Sequence, residues 1–205
     1  YRDGHFFKKI FKIENIQYFG GDENNVLKRV YLAAKKFNSK IIVRCTGDCP
    51  LIDADIVDKM IKSLISRKVD YASNTNPPTF PDGLDVEVFK FDVLKKLWEE
   101  TKNKSDREHV TPLIFKRKKL FKTFNLFLKK DHSKQCWTVD QVEDLDNIYE
   151  IFKKFNFNMN ISWKKILNYT KNKTKIYNFK KLNKRNLGGR LGSGQKLWIK
   201  ANSII

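Results

Sequence analysis

Residues 40–58 read KIIVRCTGDCPLIDADIVD. The apolar run Ile41, Ile42 and Val43 has the length and β-branched content of a buried strand, and it stops at the turn-forming residues Thr46-Gly47-Asp48-Cys49-Pro50. A helix is predicted next. Asp53 can cap it, Asp55 suits its first turn, and Ile56, Val57, Met60, Ile61, Leu64 and Ile65 recur at the spacing of one buried face. In such a unit of an open α/β sheet the turn lies at the carboxyl end of the strand, where ligands bind. Asp48 occupies that turn. Spacing alone leaves it two roles, a turn-capping residue or a member of a site.

Upstream of this unit, Ile16 to Phe19 reads as strand-like and ends at Gly20-Gly21. Asn24 or Asn25 can cap a helix in which Val26, Leu27, Val30, Tyr31 and Ala34 form an apolar stripe and Lys28, Arg29, Lys35 and Lys36 face water. Downstream, Val69 to Ser73 is a predicted strand running into the Pro-rich loop Asn74 to Gly83, which can continue neither sheet nor helix. Leu84 to Phe89 alternates apolar and acidic residues, which predicts a half-buried strand with Asp85 and Glu87 on one face. That face is either a solvated edge or a wall that binds hydroxyls or a cation.

Phe91 to Thr101 reads as a helix with Val93, Leu94, Leu97 and Trp98 inward. Ser105 can cap a second one through Arg107, Glu108 and His109, which Pro112 should end or kink. Phe121 to Leu128 and Gln135 to Asp140 are strand-like, and Glu143 and Asp144 open a helix with Leu145, Ile148, Tyr149, Phe152 and Phe155 inward. Ser162 to Leu167 suggests a short helix. Residues 186–195 are Gly-rich but carry no phosphate loop, because Gln195 separates Gly194 from Lys196 and no strand precedes them.

The chain has 205 residues, a one-domain length with room for a real core. It contains no apolar run of membrane-spanning length and no signal-peptide pattern, so a cytoplasmic location is expected. Cys45, Cys49 and Cys136 lack metal-knuckle spacing, and His5, His109 and His132 are scattered, so the thiols are expected to be reduced and structural. The net charge of +19 invites a nucleic-acid reading. Twelve basic residues and no acidic ones follow Ile161, however, which leaves +7 on residues 1–160. The excess therefore marks a basic C-terminal extension. Trp163, Tyr169, Tyr177 and Trp198 lie among its lysines and could stack on bases.

Four strings, in order, carry a resemblance: VRCTGDCPLID, SNTNPPTFPDGLDVEVF, REHVTP and TVDQVEDLDNI. Together they resemble the sugar cytidylyltransferases of the spore coat polysaccharide type, relatives of the KDO and acylneuraminate cytidylyltransferases. The resemblance covers about Gly20 to Asn158. It implies an α/β, Rossmann-like nucleotide-diphospho-sugar transferase fold with a mostly parallel sheet between helices. It also implies that Asp48 and Asp140, 92 residues apart, together hold Mg2+ and are the catalytic pair. On the same ground Arg44, Asn74, Asp82, Asp85, Glu87, Arg107, Glu108 and His109 are candidate substrate-binding residues. GGDENNVLKR resembles a further family segment, which leaves Arg29 a candidate for cofactor binding or for a structural role.

The partners so implied are CTP and an acidic sugar, and a homodimer is the assembly to look for. The family's N-terminal Gly-rich nucleotide-binding loop has no counterpart here, so the chain is expected to be N-terminally truncated. Residues 1–160 are expected to form the partial cytidylyltransferase-like domain, 161–185 a basic extension, and 186–205 a linker with the start of a second domain. That last segment is similar to a join to a fused aminotransferase of the glutamate-1-semialdehyde type. The alternatives at this level are a non-catalytic basic module that binds nucleic acid and an inactive truncated relative.

Overall fold

The computed structural model describes residues 11–14 and 16–173. His5, Tyr177, Trp198, residues 174–185 of the basic extension and the whole Gly-rich segment lie outside the described residues. In chain order the elements are α1 (Val26–Lys36), β1 (Ile41–Arg44), α2 (Ala54–Ser66), β2 (Tyr71–Ser73), β3 (Glu87–Lys90), α3 (Phe91–Glu100), α4 (Lys104–His109), α5 (Pro112–Lys116), a 3₁₀ turn (Lys118–Leu120), β4 (Thr123–Asn125), α6 (Val142–Lys154) and α7 (Trp163–Thr170).

Several helix starts are as their sequence dictates. Asn25 Oδ1 accepts from Lys28 N at 3.1 Å, and Asp53 Oδ1 accepts from Ile56 N at 3.2 Å. The other oxygen of Asp53 accepts from Trp163 N at 2.9 Å, so one buried carboxylate caps α2 and ties α7 to it. Ser162 caps α7, which runs past the expected Leu167 to Thr170. Two starts differ from expectation. Asn103, not Ser105, caps α4, accepting from Ser105 N at 2.9 Å and Asp106 N at 3.3 Å. Pro112 begins α5 instead of kinking α4, a position where its missing N–H costs nothing.

The strand order is β1-β3-β2-β4, with β3 antiparallel to both neighbours and β2 parallel to β4. The expected mostly parallel sheet is thus a mixed one. The reason lies in the connection: parallel neighbours need a crossover, usually a helix. Between β2 and β3 the chain has only the Pro-rich loop, so it returns antiparallel.

The alternation of β2 and β3 splits the interior into two layers. Ala72 and Val88 point to one face, where they meet Ile56, Met60 and Leu64 of α2, Ile148 and Ile151 of α6, Ile166 of α7 and the loop residues Phe80, Leu84 and Trp137. Tyr71 and Phe89 point to the other, against Leu27 and Ala34 of α1, Val93, Leu94 and Leu97 of α3, Val110, and Leu113 and Ile114 of α5. Each fully buried Leu, Ile or Phe contributes about 1.5–3 kcal/mol. Helices therefore cover both faces of the sheet.

Five expected strands are shortened or absent, among them β2, which begins at Tyr71 instead of Val69, and β3, which begins at Glu87 instead of Leu84. Ile16 to Phe19 is irregular. β4 spans Thr123–Asn125 within the expected Phe121 to Leu128. The segment Gln135 to Asp140 makes an isolated bridge, Cys136 opposite Asp82, because its backbone hydrogen bonds are exchanged with separate loop residues, Asp82 and Asp48, and not with a strand. No helix among the described residues is long and apolar enough to cross a membrane.

Candidate functional site

The turn after β1 lies at the carboxyl end of that strand. Val139 N donates to the Asp48 carbonyl at 2.9 Å, which lays the segment before α6 directly on this turn. Asp140 follows one residue later and is exposed, while Asp48 is half-buried. Thr138 Oγ1 donates to Asp140 Oδ2 at 3.1 Å and fixes that carboxylate. Behind it, Asp144 Oδ2 accepts from Asp140 N at 3.1 Å and Gln141 N at 3.0 Å, closing the first turn of α6.

More acid gathers here. Burial pushes the Cys49 thiol up to about 12 against the opposing hydrogen bond from Thr46, and Asp48, Asp85 and Asp82 add to the rise. Cys136 is raised by burial, with Asp82 and Asp144 adding to it. Backbone hydrogen bonds join the three segments that carry these acids, Val139 N donating to the Asp48 carbonyl and Trp137 N to the Asp82 carbonyl. All three cysteines are free, and Cys45 is the exposed one.

Among the described residues no three His, Cys, Asp or Glu side chains converge as a cation cage. Asp48 and Asp140 nevertheless fit magnesium, a hard cation that takes one or two carboxylates, keeps several waters and completes its shell with substrate phosphates.

Arg44 and Glu87 are register partners on β1 and β3, and their side chains form an ion pair through Nη1 and Oε2. Glu87 is only 7% exposed. Its Oε1 accepts from Tyr71 Oη at 2.6 Å and from Thr111 Oγ1 at 2.6 Å. The carboxylate is therefore held by three donors inside the protein, and the expectation that it faces an acceptor substrate needs correcting: Glu87 lies between sheet and helices. Burial alone would lower the pKa of Arg44, yet Glu87, Tyr71 and Asp48 raise it on balance. Tyr71 is itself raised well above its ordinary value by burial and by Glu87.

Asn74 is likewise internal, at 0% exposure. Its Nδ2 donates to the Leu84 carbonyl at 2.7 Å and its Oδ1 accepts from Val86 N at 2.8 Å, so it closes the base of the Pro-rich loop. This explains why Leu84 to Val86 is not strand, and why Asp85 and Glu87 do not share an exposed strand face as expected. Asn125 holds the same loop from β4: its Oδ1 accepts from Ser73 Oγ at 3.0 Å and Asn76 N at 2.9 Å, and its Nδ2 donates to the Pro77 carbonyl at 3.1 Å.

At the loop's far end Asp82 N donates to the Gln135 carbonyl at 2.9 Å and Trp137 N donates to the Asp82 carbonyl at 2.8 Å. Gly83 is obligatory there. Its φ is +101°, and an added Cβ would meet the Trp137 carbonyl oxygen at 2.8 Å. Asp82 and Asp85 are half-buried at this junction.

The remaining candidates sit on supporting elements. Arg107 Nε donates to the Thr101 carbonyl at 2.9 Å, and its guanidinium lies 4.7 Å over the Trp98 ring. Glu108 is exposed and His109 half-buried on α4, which packs on α1. Arg29 Nη1 donates to the Asp22 carbonyl at 2.8 Å and its stem covers Gly21, a structural use of the side chain. Of the aromatics proposed to stack on bases, Trp163 packs 5.5 Å from Phe80, and Tyr169 meets Phe155 at 5.9 Å edge-on.

Tyr71, Thr111, Asn125 and Thr138 were missed by sequence reasoning. The last three are neutral polar residues next to motif positions, and only long-range pairing reveals what they hold.

A family model described as cytidylyltransferase matches residues 9–183. An uncharacterised protein of Methanocaldococcus jannaschii is 36% identical over 167 residues, covering 80% of this chain and 66% of that protein. The spore coat polysaccharide biosynthesis protein SpsF of Bacillus subtilis is 26% identical over 155 residues, covering 74% of this chain and 61% of that protein. The chain thus spans less than two-thirds of the length of either relative. Among solved structures, a cytidylyltransferase from Leptospira borgpetersenii superposes with a TM-score of 0.80 at 29% identity, over 88% of this chain and 76% of that one. With a family match over most of its length and a fold in common, the chain belongs to the cytidylyltransferase family.

Proposed function

We propose that the protein containing this chain is a nucleotidyltransferase that moves CMP from CTP onto a hydroxyl of an acidic sugar, releasing pyrophosphate, in surface polysaccharide biosynthesis. The observation that supports this most is the hydrogen bond from Val139 N to the Asp48 carbonyl, which joins two acidic segments at the carboxyl end of β1. Asp48 and Asp140 would hold magnesium, which supplies charge neutralisation for the nucleotide phosphates. Thr138 keeps the Asp140 carboxylate oriented. Arg44, at the end of the strand that leads into the Asp48 turn, offers guanidinium donors to a phosphate or carboxylate oxygen. Asp82 and Asp85 stand where an acceptor's hydroxyls could be bound.

In phosphoryl-type transfer the protein does little covalent chemistry, so positioning and electrostatics carry the rate. Kinship to the KDO and acylneuraminate enzymes, and an aminotransferase domain downstream, belong to the same reading. The test is pyrophosphate release from CTP and magnesium with a panel of acidic sugars. Release that depends on one sugar and drops at least a hundredfold on Asp48→Ala and on Asp140→Ala supports the reading. Release indifferent to both substitutions sinks it.

A further inference from the structure

We infer that Tyr71 and Thr111 are positioning residues that set the Arg44 guanidinium for an anionic ligand, acting through the buried Glu87 carboxylate. The inference deepens the proposed transfer reaction and rests on it for the identity of the anion.

A buried carboxylate is costly unless ionic and hydrogen-bonding partners surround it. Glu87 has both, since Arg44 takes one oxygen and two hydroxyls at 2.6 Å take the other. Donors from β1, β2 and the residue just before α5 hold both oxygens of the carboxylate. It is thereby a fixed mount for the guanidinium.

Arg44 is the partner that reaches the surface, with 24% of its side chain exposed against 9% for Glu87. A guanidinium has five N–H donors. Among the described residues Arg44 donates to Glu87 alone, through Nη1. The remaining donors are a fork of fixed geometry, suited to two oxygens of one phosphate or carboxylate. Arg44 ends β1 and Asp48 stands in the turn that follows it, so the fork and the candidate cation site belong to the same carboxyl end of the strand.

The backbone before Thr111 is built for this contact. Val110 has φ 70° and ψ −55°, and Thr111 N donates to the His109 carbonyl at 2.9 Å, a γ-turn that a β-branched residue rarely adopts. Val110 is fully buried, which holds the strained turn in place, and the turn delivers Thr111 Oγ1 onto Glu87. In this account the string Arg107 to Pro112 serves the site through Thr111.

The test uses the 205-residue chain with pyrophosphate as the probe. Thr111→Val should weaken pyrophosphate binding about tenfold, the lower end of what one hydrogen bond to a charged group is worth, and Thr111→Ser should restore it. In an Arg44→Met background, itself weakened, Thr111→Val should add nothing. The Arg44 Nη signals in an NMR spectrum should show slowed guanidinium rotation in the parent and the serine variant, and faster averaging in Thr111→Val. Should Thr111→Val fail to fold, Tyr71→Phe takes its place with the same expectations.

If Arg44→Met weakens binding while Thr111→Val and Tyr71→Phe change neither affinity nor the Arg44 signals, the inference is overturned and the transfer reading stands. Pyrophosphate binding indifferent to Arg44→Met also overturns it. Whether the transfer reading falls too is then decided by pyrophosphate release from CTP.

Discussion

Replacing Asn74 by Ala separates two uses of that side chain. Its amide satisfies one buried carbonyl, Leu84 O, and one buried N–H, Val86 N, at 2.7 and 2.8 Å. Alanine leaves both without a partner at a position with 0% exposure. Each orphaned buried group costs about 1–3 kcal/mol, so the raw range is about 2–6 kcal/mol. Partial relaxation of the loop favours the lower half, about 3 kcal/mol. For a domain of this size that lowers Tm by about 6–12 °C.

Asn74→Asp sharpens the experiment. It keeps the acceptor for Val86 N but sets a carboxylate oxygen against the Leu84 carbonyl, and only the protonated acid can donate there. The folded pKa of that acid would be raised, so its stability is present at low pH and lost as pH rises through the folded value. Calorimetry or urea unfolding at pH 4 and pH 7 reads both effects. Stability within about 0.5 kcal/mol of the parent for Asn74→Ala, the size of an ordinary surface substitution, would refute the assignment of Asn74 as a loop staple.

Asp53→Ala removes the cap of α2 and the acceptor of Trp163 N together, so it should cost about 2–4 kcal/mol in urea unfolding. Asp53→Asn keeps only one carboxamide acceptor and should fall between it and the parent. Alkylation at pH 8 followed by mass spectrometry should label Cys45 first and leave Cys49 unmodified, because a thiol pushed up to about 12 holds roughly one part in ten thousand as thiolate. Rapid labelling of Cys49 in the folded chain would contradict its assigned burial.

What the sequence made legible was local. The caps Asn25 and Asp53 and the apolar stripes of α1 and α3 follow from side-chain chemistry and a 3.6-residue period and stand where the spacing placed them, whereas Ile65 of α2 and Leu145 and Tyr149 of α6, expected on buried faces, are exposed. The direction of β3 was not legible, since a period of two is the same for parallel and antiparallel pairing. Alternation also misled at Leu84 to Val86. These residues are apolar, polar and apolar like a strand, yet Asn74 replaces their ladder partners.

The motif strings marked Glu87 and Asn74 as candidates without showing what each side chain holds. A carboxylate such as Glu87 looks the same in sequence whether it meets a ligand or three internal donors, and the donors come from positions 16, 24 and 43 residues away. Val110 gave no warning of its γ-turn, because valine is among the last residues expected at positive φ.

The central claim is that Asp48 and Asp140 form one divalent-cation site. The most direct measurement is a Mn2+ titration followed by electron paramagnetic resonance, with and without CTP. It would use the parent, Asp48→Asn and Asp140→Asn, each checked for an unchanged Tm. One bound Mn2+ per chain, tightened by CTP and weakened at least tenfold by either substitution, is the result predicted. Binding that ignores either substitution would mean that the two carboxylates do not share an ion.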